Sequence, residues 1–311
     1  MIEKPMDVLA QFPVRKSEKQ KSNFRKAVWK YLQDLGYQVT VEEGSLGTRN
    51  MVIGNPDAAR YLITAHYDTP ACIGLPNILT PCNLLVFLLW QIILVVIILF
   101  AAILPGVLLG FVFKDPIVAG NVTSVMYWVI LIMLLAGPAN KHNANDNTSG
   151  VVTLLETAAA WPEEKRNMVC FVLFDLEEAG LIGSASYRKK HKKASNHQIV
   201  LNMDCVGDGD EILLVATKKL KKDPEKMALL RSFNGSCGNK KITLHEKGFV
   251  IYPSDQQHFP YGVGIATFKR ARGIGLYVDR IHTWKDTILE EENVNYLRDT
   301  LLTLADAHAA E

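Results

Sequence analysis

The segment MVCFVLFDLEEAGLIGS, residues 168–184, joins an unbroken apolar run to a pair of carboxylates. The run VCFVLF has the length of a strand and is rich in β-branched and aromatic residues, so it predicts a buried strand. Glu177 and Glu178 follow at its carboxyl end, where open α/β sheets place their ligand and catalytic groups. The segment therefore predicts an α/β fold that carries its chemistry at the ends of strands.

The alternation of strand and helix patterns continues on both sides of this segment. SNFRKAVWKYLQDLG, residues 22–36, spaces its apolar side chains as an amphipathic helix does and ends at a glycine. The remaining predicted elements are the strands YQVTVEE, NMVIG, ARYLITAH, IVLNMDCV and EILLVAT and the helices SGVVTLLETAAAW and ENVNYLRDTLLTLADAHA. Strands that alternate with helices indicate a layered α/β sheet with helices on both faces.

One block of the chain is much more apolar than the rest. Residues 71–140 contain Lys114 and Asp115 as their only charges, although the 311-residue chain carries 34 basic and 32 acidic side chains. Within the block, LLVFLLWQIILVVIILFAAIL, residues 84–104, would span about 30 Å as a helix, which is the hydrocarbon thickness of a bilayer. The block lacks the polar stripe of a buried soluble helix, so it predicts membrane insertion.

A second, shorter apolar run at 122–136 follows polar and turn residues at 114–121. Two membrane crossings return the chain to the side that it left, so the flanking segments share one compartment. We therefore predict an inserted transmembrane helical hairpin at 79–139 and one discontinuous domain formed by 1–78 and 140–311.

The N-terminal segment, the net charge and the cysteine content indicate the cellular compartment and the classes of binding partner. The N-terminal segment lacks the apolar core of a secretory signal. Together with the hairpin, this predicts an integral membrane protein whose catalytic domain lies in the cytoplasm. A net charge of +2 argues against nucleic acid as a partner, whereas the hairpin makes the lipid bilayer one. Five cysteines without a C-x-x-C spacing indicate a reducing compartment and no disulfide framework. A homo-oligomer formed through the hairpin stays an open alternative.

Five clusters of histidine and acidic residues sit where predicted strands end. The candidates are His66 and Asp68, Asp146, Glu177 and Glu178, Asp204, and His282. Carboxylates beyond buried strands are costly unless a cation compensates them, and imidazole with carboxylate suits zinc. One glutamate of the pair can bind metal while its neighbour accepts a proton. Asp68, two residues after His66, can hold the imidazole tautomer.

The order H-x-D, N-D-N-x-S-G, E-E-x-G-L-x-G-S, a strand-end D and a late H resembles the di-zinc aminopeptidases of metallopeptidase clan MH, family twenty-eight. The resemblance extends from about Phe24 to the end of the chain. It implies a mixed, mostly parallel sheet sandwiched by helices and two Zn²⁺ per chain. It also implies that one zinc is held by His66, Asp146 and Asp204 and the other by Asp146, Glu178 and His282, with Glu177 as the general base. We predict Asp68 as a further catalytic residue because it can orient His66.

Two features depart from that family's pattern. The segment SDQQHF, residues 254–259, replaces S-D-H-x-x-F, with Gln256 in the place of the histidine. The apolar block fills an interval that is usually a short loop in the family. The candidate substrate-binding residues lie in and just before this segment and are Tyr252, Asp255 and His258.

The function predicted from these features is that of a membrane-tethered di-zinc aminopeptidase that removes N-terminal residues from short peptides. A dipeptidase or another exopeptidase is one alternative, and a catalytically inactive receptor or scaffold on the same fold is another. Related glutaminyl cyclases bind a single zinc, so the presence of both His66 and Asp204 favours the two-metal hydrolase. The hairpin leaves after Asp68 and returns before Asp146, which predicts a catalytic cleft near the membrane surface and substrates that arrive from the bilayer.

Overall fold

A computed structural model describes residues 2–306 of the chain. Met1 and residues 307–311, which include the end of the predicted closing helix and of the predicted discontinuous domain, lie outside the described residues. The helices are α1 (Asp7–Gln11), α2 (Glu18–Asp34), α3 (Leu84–Phe113), α4 (Pro116–Ala136), α5 (Gly150–Ala160), α6 (Ile182–Lys190), α7 (Pro224–Arg231) and α8 (Glu291–Asp306). The strands are β1 (Val39–Glu43), β2 (Arg49–Ile53), β3 (Tyr61–His66), β4 (Val169–Phe174), β5 (Ile199–Met203), β6 (Glu211–Ala216), β7 (Gly235–Cys237), β8 (Lys240–Leu244), β9 (Gly262–Ala271) and β10 (Gly275–Tyr277).

The strands of the described chain form one mixed sheet in the order β1-β2-β4-β3-β5-β9-β6-β8-β7, with β10 paired to β9. Strands β4, β3, β5 and β9 run parallel at its centre. Antiparallel pairs flank this centre, including β2 with β4 and β6 with β9. The carboxyl ends of β3, β4 and β5 therefore meet at one edge, as expected for neighbouring parallel strands.

Two apolar layers cover the two faces of the sheet. Along β4, Phe171 and Leu173 face a large core that α2, α5 and α8 complete. Cys170 and Val172 face the opposite side and pack in a second core with Tyr187 of α6. This alternation follows from the two-residue period of a strand that is buried on both faces. The predicted fold class, a mixed α/β sheet sandwiched by helices, is confirmed.

Helix α2 begins at Glu18 rather than at residue 22 because the segment before it supplies a capping box. The Ser17 hydroxyl oxygen accepts a hydrogen bond from the Gln20 amide, and the Gln20 side chain accepts one from the Ser17 amide at 2.9 Å. These bonds satisfy amides that a helix start would otherwise leave unpaired. Phe24 and Val28 point from α2 into the core.

Strand β9 lies in the middle of the sheet, yet its sequence does not resemble a typical strand because glycines interrupt it. A Cβ atom on Gly262 would overlap the Gln256 carbonyl group, and one on Gly264 would crowd the Gln256 side chain. The glycines therefore let the short turn Asp255–His258 pack directly against β9. This approach brings Asp255 to the carboxyl edge of the central strands.

Helices α3 and α4 are long and apolar enough to cross a membrane, and their side chains are mostly exposed. The turn between them is shorter than the predicted polar segment 114–121, because only Lys114 and Asp115 separate the helices. The Asp115 carboxylate accepts a hydrogen bond from the Ile117 amide at 2.8 Å. Pro116 occupies the first turn of α4, where its missing amide proton costs nothing.

Small residues let the two apolar helices approach closely. A Cβ atom on Gly106 would overlap Thr123 and the Ala119 carbonyl group, and one on Gly110 would overlap Ala119. Gly106 and Gly110 form a G-x-x-x-G pair, and Ala119 and Thr123 have the same spacing on α4. This is the small-residue packing that stabilises helix pairs in lipid.

Candidate metal centre

Three neighbouring parallel strands deliver acidic and histidine side chains to one edge of the sheet. His66 is the last residue of β3, and Asp204 directly follows β5. Glu177 and Glu178 follow β4 after a short turn, in which Leu176 adopts a positive φ of 54°. The order β4-β3-β5 thus places His66 between the glutamate pair and Asp204.

Two loops add the remaining members of the predicted set. Asp146 lies in the irregular turn Ala144–Ser149 that precedes α5, and the Asp146–Asn147 peptide bond is cis. His282 lies between β10 and α8 and has a positive φ of 60°. All five predicted metal ligands therefore converge on one site, although they come from five separate segments of the chain.

The Asp146 carboxylate lies between the two histidines. Its Oδ1 is 3.4 Å from Nε2 of His66, and its Oδ2 is 3.0 Å from Nε2 of His282. His66 Nε2 is also 3.6 Å from Oδ1 of Asp204, whereas His282 Nε2 is 3.4 Å from Oε2 of Glu178. The site consequently has two halves that share one carboxylate.

Asp68 connects the histidine of one half with the glutamate pair. Its carboxylate accepts hydrogen bonds from the amides of Glu177 and Glu178, at 3.0 and 3.2 Å. The same carboxylate lies 3.5 Å from Nδ1 of His66. Asp68 therefore fixes the turn that carries both glutamates. It also faces Nδ1 of His66, whereas the Asp146 carboxylate faces Nε2 of the same ring.

Glu177 differs from Glu178 in its neighbours. Its Oε2 is 4.0 Å from Nε2 of His66, on the half that contains Asp204, while Glu178 faces His282. Burial raises the pKa of Glu177 well above its usual value, and Glu178 and Asp204 add to this effect. Burial raises the pKa of Glu178 to about 8.

The other members of the site show how strongly the acids and imidazoles interact. Burial opposes the ionisation of Asp146, but the imidazoles of His282 and His66 still hold its pKa well below the usual range. Burial alone would lower the pKa of His282, yet Glu178 and Asp146 raise it to about 9. Carboxylates outnumber imidazoles here, and such a site binds protons or a cation tightly.

The donor set fits zinc. His66, Asp146 and Glu178, all members of the predicted ligand set, offer ligand atoms that lie within 4.8 Å of one another. Glu177, the predicted base, groups in the same way with His66 and Asp204. Within residues 2–306, Oε1 of Glu178 is buried without a hydrogen-bond partner. An unpaired buried carboxylate oxygen beside imidazole nitrogens is the arrangement that a metal ion satisfies.

The predicted substrate-binding residues have separate environments. The Tyr252 hydroxyl donates a hydrogen bond to the Asp204 carbonyl at 2.7 Å. Burial raises the pKa of Asp255 to about 7, although His66 and Ser184 act in the opposite direction. His258 lines a neighbouring cavity of about 780 Å³ together with Tyr252 and Gln256. Tyr252 and Asp255 thus border the metal centre, whereas no described contact joins His258 to it.

The departure at Gln256 has a structural explanation. Its side chain donates to the Tyr252 carbonyl at 2.9 Å, and its Oε1 accepts from Asn202 of β5 at 3.4 Å. Gln256 is buried against β9, so an amide replaces the histidine of the family pattern as a link between the turn and the sheet.

Two further residues that support the site were not predicted. Asp286 accepts hydrogen bonds from the amides of Asn145 and Asp146, at 2.8 and 3.0 Å. Arg15 is fully buried and donates to the Tyr67 carbonyl and to Thr148, at 2.5 and 3.1 Å. Asp286 lies four residues after His282, so its position near that candidate ligand was a usable signal. Arg15 gave none, because its contacts come from distant segments.

We expect Asp286→Ala to weaken metal binding by about 10- to 100-fold, the usual cost of losing a group that orients a ligand. The change removes the acceptor that holds the Asp146 amide, while every ligand side chain stays in place. Zinc affinity measured by competition with a chromophoric chelator checks this. Asp299→Ala, on the exposed face of α8, is the control, and equal affinities in the two variants would contradict the role of Asp286.

The comparisons with known proteins show the family and the fold of the chain. Residues 131–305, more than half of the chain, match the sequence profile of peptidase family M28. No curated protein matches the chain. Its structure is similar to the LapA aminopeptidase of Legionella pneumophila, with a TM-score of 0.55 and 13% identity over 97% of this chain and 67% of that one.

Two similar structures are covered almost completely. A Porphyromonas gingivalis glutaminyl cyclase gives a TM-score of 0.59 and 17% identity over 97% of this chain and 96% of that one. A leucine aminopeptidase precursor from Bacteroides thetaiotaomicron gives a TM-score of 0.58 and 15% identity over 98% of this chain and 96% of that one. At these identities the neighbours share the fold, and they include both aminopeptidases and cyclases.

Proposed function

The chain belongs to peptidase family M28, and from that premise we propose that it is a membrane-attached aminopeptidase that uses two zinc ions to remove N-terminal residues from short peptides. The family predicted from the motif order is thereby confirmed, and it indicates a metal-binding hydrolase. The two-zinc chemistry, the aminopeptidase specificity and the membrane attachment are the parts that we propose.

The shared carboxylate of Asp146 carries the proposal. Its two oxygens face different histidines, at 3.4 Å for His66 and 3.0 Å for His282. A carboxylate in that position can bridge two ions, with Asp204 completing one half and Glu178 the other. A single-metal site needs only one of these halves, so the arrangement favours the hydrolase over a glutaminyl cyclase.

Metal ions held by these residues would lower the pKa of a bound water and polarise the substrate carbonyl. Glu177 is the residue that we propose to accept the proton of that water and pass it to the leaving amine. Burial raises the pKa of its carboxyl group well above the usual value, which favours holding a proton before its delivery to the amine. Asp68 accepts a hydrogen bond from the Glu177 amide and faces His66, so it fixes the position of the proposed base relative to a proposed zinc ligand.

The attachment to a membrane is supported by α3 and α4, which could each span a bilayer. We propose that residues 79–139 form the anchor, that 1–78 and 140–311 form the peptidase domain, and that this domain lies in the cytoplasm. Short peptides, including apolar ones that partition into the bilayer, are the proposed substrates. Tyr252 and Asp255 are the proposed substrate contacts, since both border the metal centre.

Removal of metal tests the proposal directly. We expect a chelator to reduce hydrolysis of aminoacyl amides by about 10³-fold or more, because bound metal contributes several kcal/mol to stabilising the transition state. Zinc should restore the activity, with a stoichiometry of about two ions per chain. Activity that survives complete metal removal would exclude the mechanism.

Zinc analysis and assays with further substrates separate the alternative functions. An inactive scaffold would bind no zinc or would hydrolyse nothing when loaded. A dipeptidase would cleave dipeptides but not aminoacyl amides or longer peptides. A cyclase would convert N-terminal glutamine to pyroglutamate without releasing an amino acid.

A further inference from the structure

Three loops contact the base of the α3–α4 hairpin, and we call them the collar: residues 245–251, 271–275 and 282–286. The hairpin base comprises residues 70–83, which lead into α3, and 137–143, which follow α4. Each collar loop contacts this base directly, so the collar continues the surface from which the hairpin emerges.

The first collar loop is attached to the hairpin base at both of its ends. The His245 ring lies 3.9 Å from the Cys82 sulfur, and the Ile251 amide donates to the Pro81 carbonyl at 2.9 Å. The residues between these contacts, including Phe249, are held beside the start of α3. Phe249 is 40% exposed.

The second loop contacts the first residue before α3. The Asn83 side chain donates to the carbonyls of Ile274 and Gly273, at 3.0 and 3.5 Å. Asn83 is also the N-cap of α3, because its side chain accepts from the Val86 amide. Arg272 is exposed beside this contact.

The third loop connects both segments of the hairpin base with the metal centre. The Ile73 amide donates to the His282 carbonyl at 2.8 Å, and the Asn140 side chain donates to the Thr283 carbonyl at 2.9 Å. Trp284 follows immediately and is 70% exposed. The candidate ligand His282 therefore lies within the collar.

The exposed side chains of the collar have the composition of a membrane-facing surface. Among residues 2–306 and outside α3 and α4, the large exposed apolar side chains are Leu46, Phe249 and Trp284, and two of these three belong to the collar. Tryptophan is enriched at the boundary between headgroups and acyl chains, and phenylalanine is among the apolar residues that interfacial segments bury there.

The collar also carries three cations without an ion-pair partner, while its exposed acid, Glu246, pairs with Arg231 at 2.7 Å. Lys247, Arg272 and Lys285 are exposed, one in each loop, and none forms an ion pair within 4.0 Å among the described residues. Lys141, at the end of the hairpin base, has the same property. Clusters of basic side chains next to a membrane helix attract anionic lipid headgroups.

We propose that the collar docks on the surface of a bilayer that contains anionic lipids, with Phe249 and Trp284 in the headgroup layer and Lys247, Arg272 and Lys285 on lipid phosphates. The inference rests on the proposed membrane attachment. It extends that proposal, because a hairpin alone would leave the orientation of the peptidase domain free. Docking of the collar holds the His282 side of the metal centre at the membrane surface.

The test uses the full chain in nanodiscs with brominated lipids, which quench tryptophan fluorescence at the membrane. The difference between wild type and Trp284→Phe isolates Trp284, while Trp90 and Trp128 report on the hairpin. We expect Trp284 to be quenched when anionic lipid is present. The charge reversal Lys247→Glu/Arg272→Glu/Lys285→Glu should abolish this quenching, since three cations contribute about 100-fold or more to docking.

The matched control reverses three exposed cations at the opposite edge of the sheet, Lys189→Glu/Lys192→Glu/Lys193→Glu. This cluster lies beside His191, which contacts Asp57 ahead of β3 at 3.5 Å, and it should leave the Trp284 signal unchanged. A milder variant with glutamine at the three collar positions serves if the reversal fails to fold. Zinc content and hydrolysis of a soluble aminoacyl amide in detergent report on the proposed function separately.

The outcomes are distinct. Quenching of Trp284 that depends on anionic lipid and on the collar cations supports the proposal. Quenching of Trp90 and Trp128 without that of Trp284 overturns it and leaves the membrane anchor intact. Quenching of Trp284 that depends neither on anionic lipid nor on the collar cations also overturns the proposal. If Trp90 and Trp128 are not quenched, the membrane anchor is overturned together with collar docking.

Discussion

Glu177→Gln is expected to reduce turnover of aminoacyl amides by about 10²- to 10⁴-fold, the contribution of a well-placed general base, while zinc binding persists. The amide has nearly the shape of the carboxylate but cannot accept a proton from water at neutral pH. The zinc ligands proposed here are other side chains, and the Glu177 contact with Asp68 is made through its backbone amide. Metal analysis and kcat on one preparation check both parts.

The comparison with Glu178→Gln sharpens this test. Glu178 is the proposed ligand that faces His282, so its change should lower zinc content as well as activity. Glu164→Gln, an exposed position before β4, is the control that should change neither. A Glu177→Gln enzyme that keeps wild-type turnover with its zinc in place would refute the assignment of the base.

The strand-end members of the site could be predicted because their signals are local. An apolar run of strand length predicts where β4 ends, and the acidic pair follows after two residues. The same reasoning located His66 and Asp204. Parallel neighbours bring such ends together at one edge of a sheet, and the family resemblance implied a mostly parallel sheet, although it did not give the order of the strands.

The supporting residues could not be predicted because their roles depend on distant partners. Arg15 becomes buried only when the loops that contain Tyr67 and Thr148 pack around its guanidinium. Strand β9 was missed for a similar reason, since Gly262 and Gly264 weaken its strand pattern and are explained only by the turn that packs against them.

The hairpin turn illustrates a local signal that was misread. Lys114, Asp115 and Pro116 are polar or turn-forming residues, and their composition predicted a loop that extended to residue 121. Asp115 instead caps α4, and Pro116 occupies its first turn. A capping residue followed by proline marks the start of a helix, so position within the segment was more informative than composition.

Asp146→Asn is expected to reduce bound zinc from about two ions per chain to one or none, because a neutral amide cannot bridge two cations. The side chain keeps its size, and the contact of the Asp146 backbone amide with Asp286 is retained. What changes is the charge between His66 and His282. Hydrolysis should fall by at least about 10³-fold, since both halves of the site use this carboxylate.

Stability provides an independent measure of the same change. A ligand at 100 times its dissociation constant raises the free energy of unfolding by about 2.7 kcal/mol. The wild-type chain should show an increase of this kind with zinc, and Asp146→Asn should lose most of it. Asp299→Asn, on the exposed face of α8, should behave as wild type. If Asp146→Asn still bound two zinc ions with the wild-type gain in stability, Asp146 would not bridge them, and the two halves of the site would be independent.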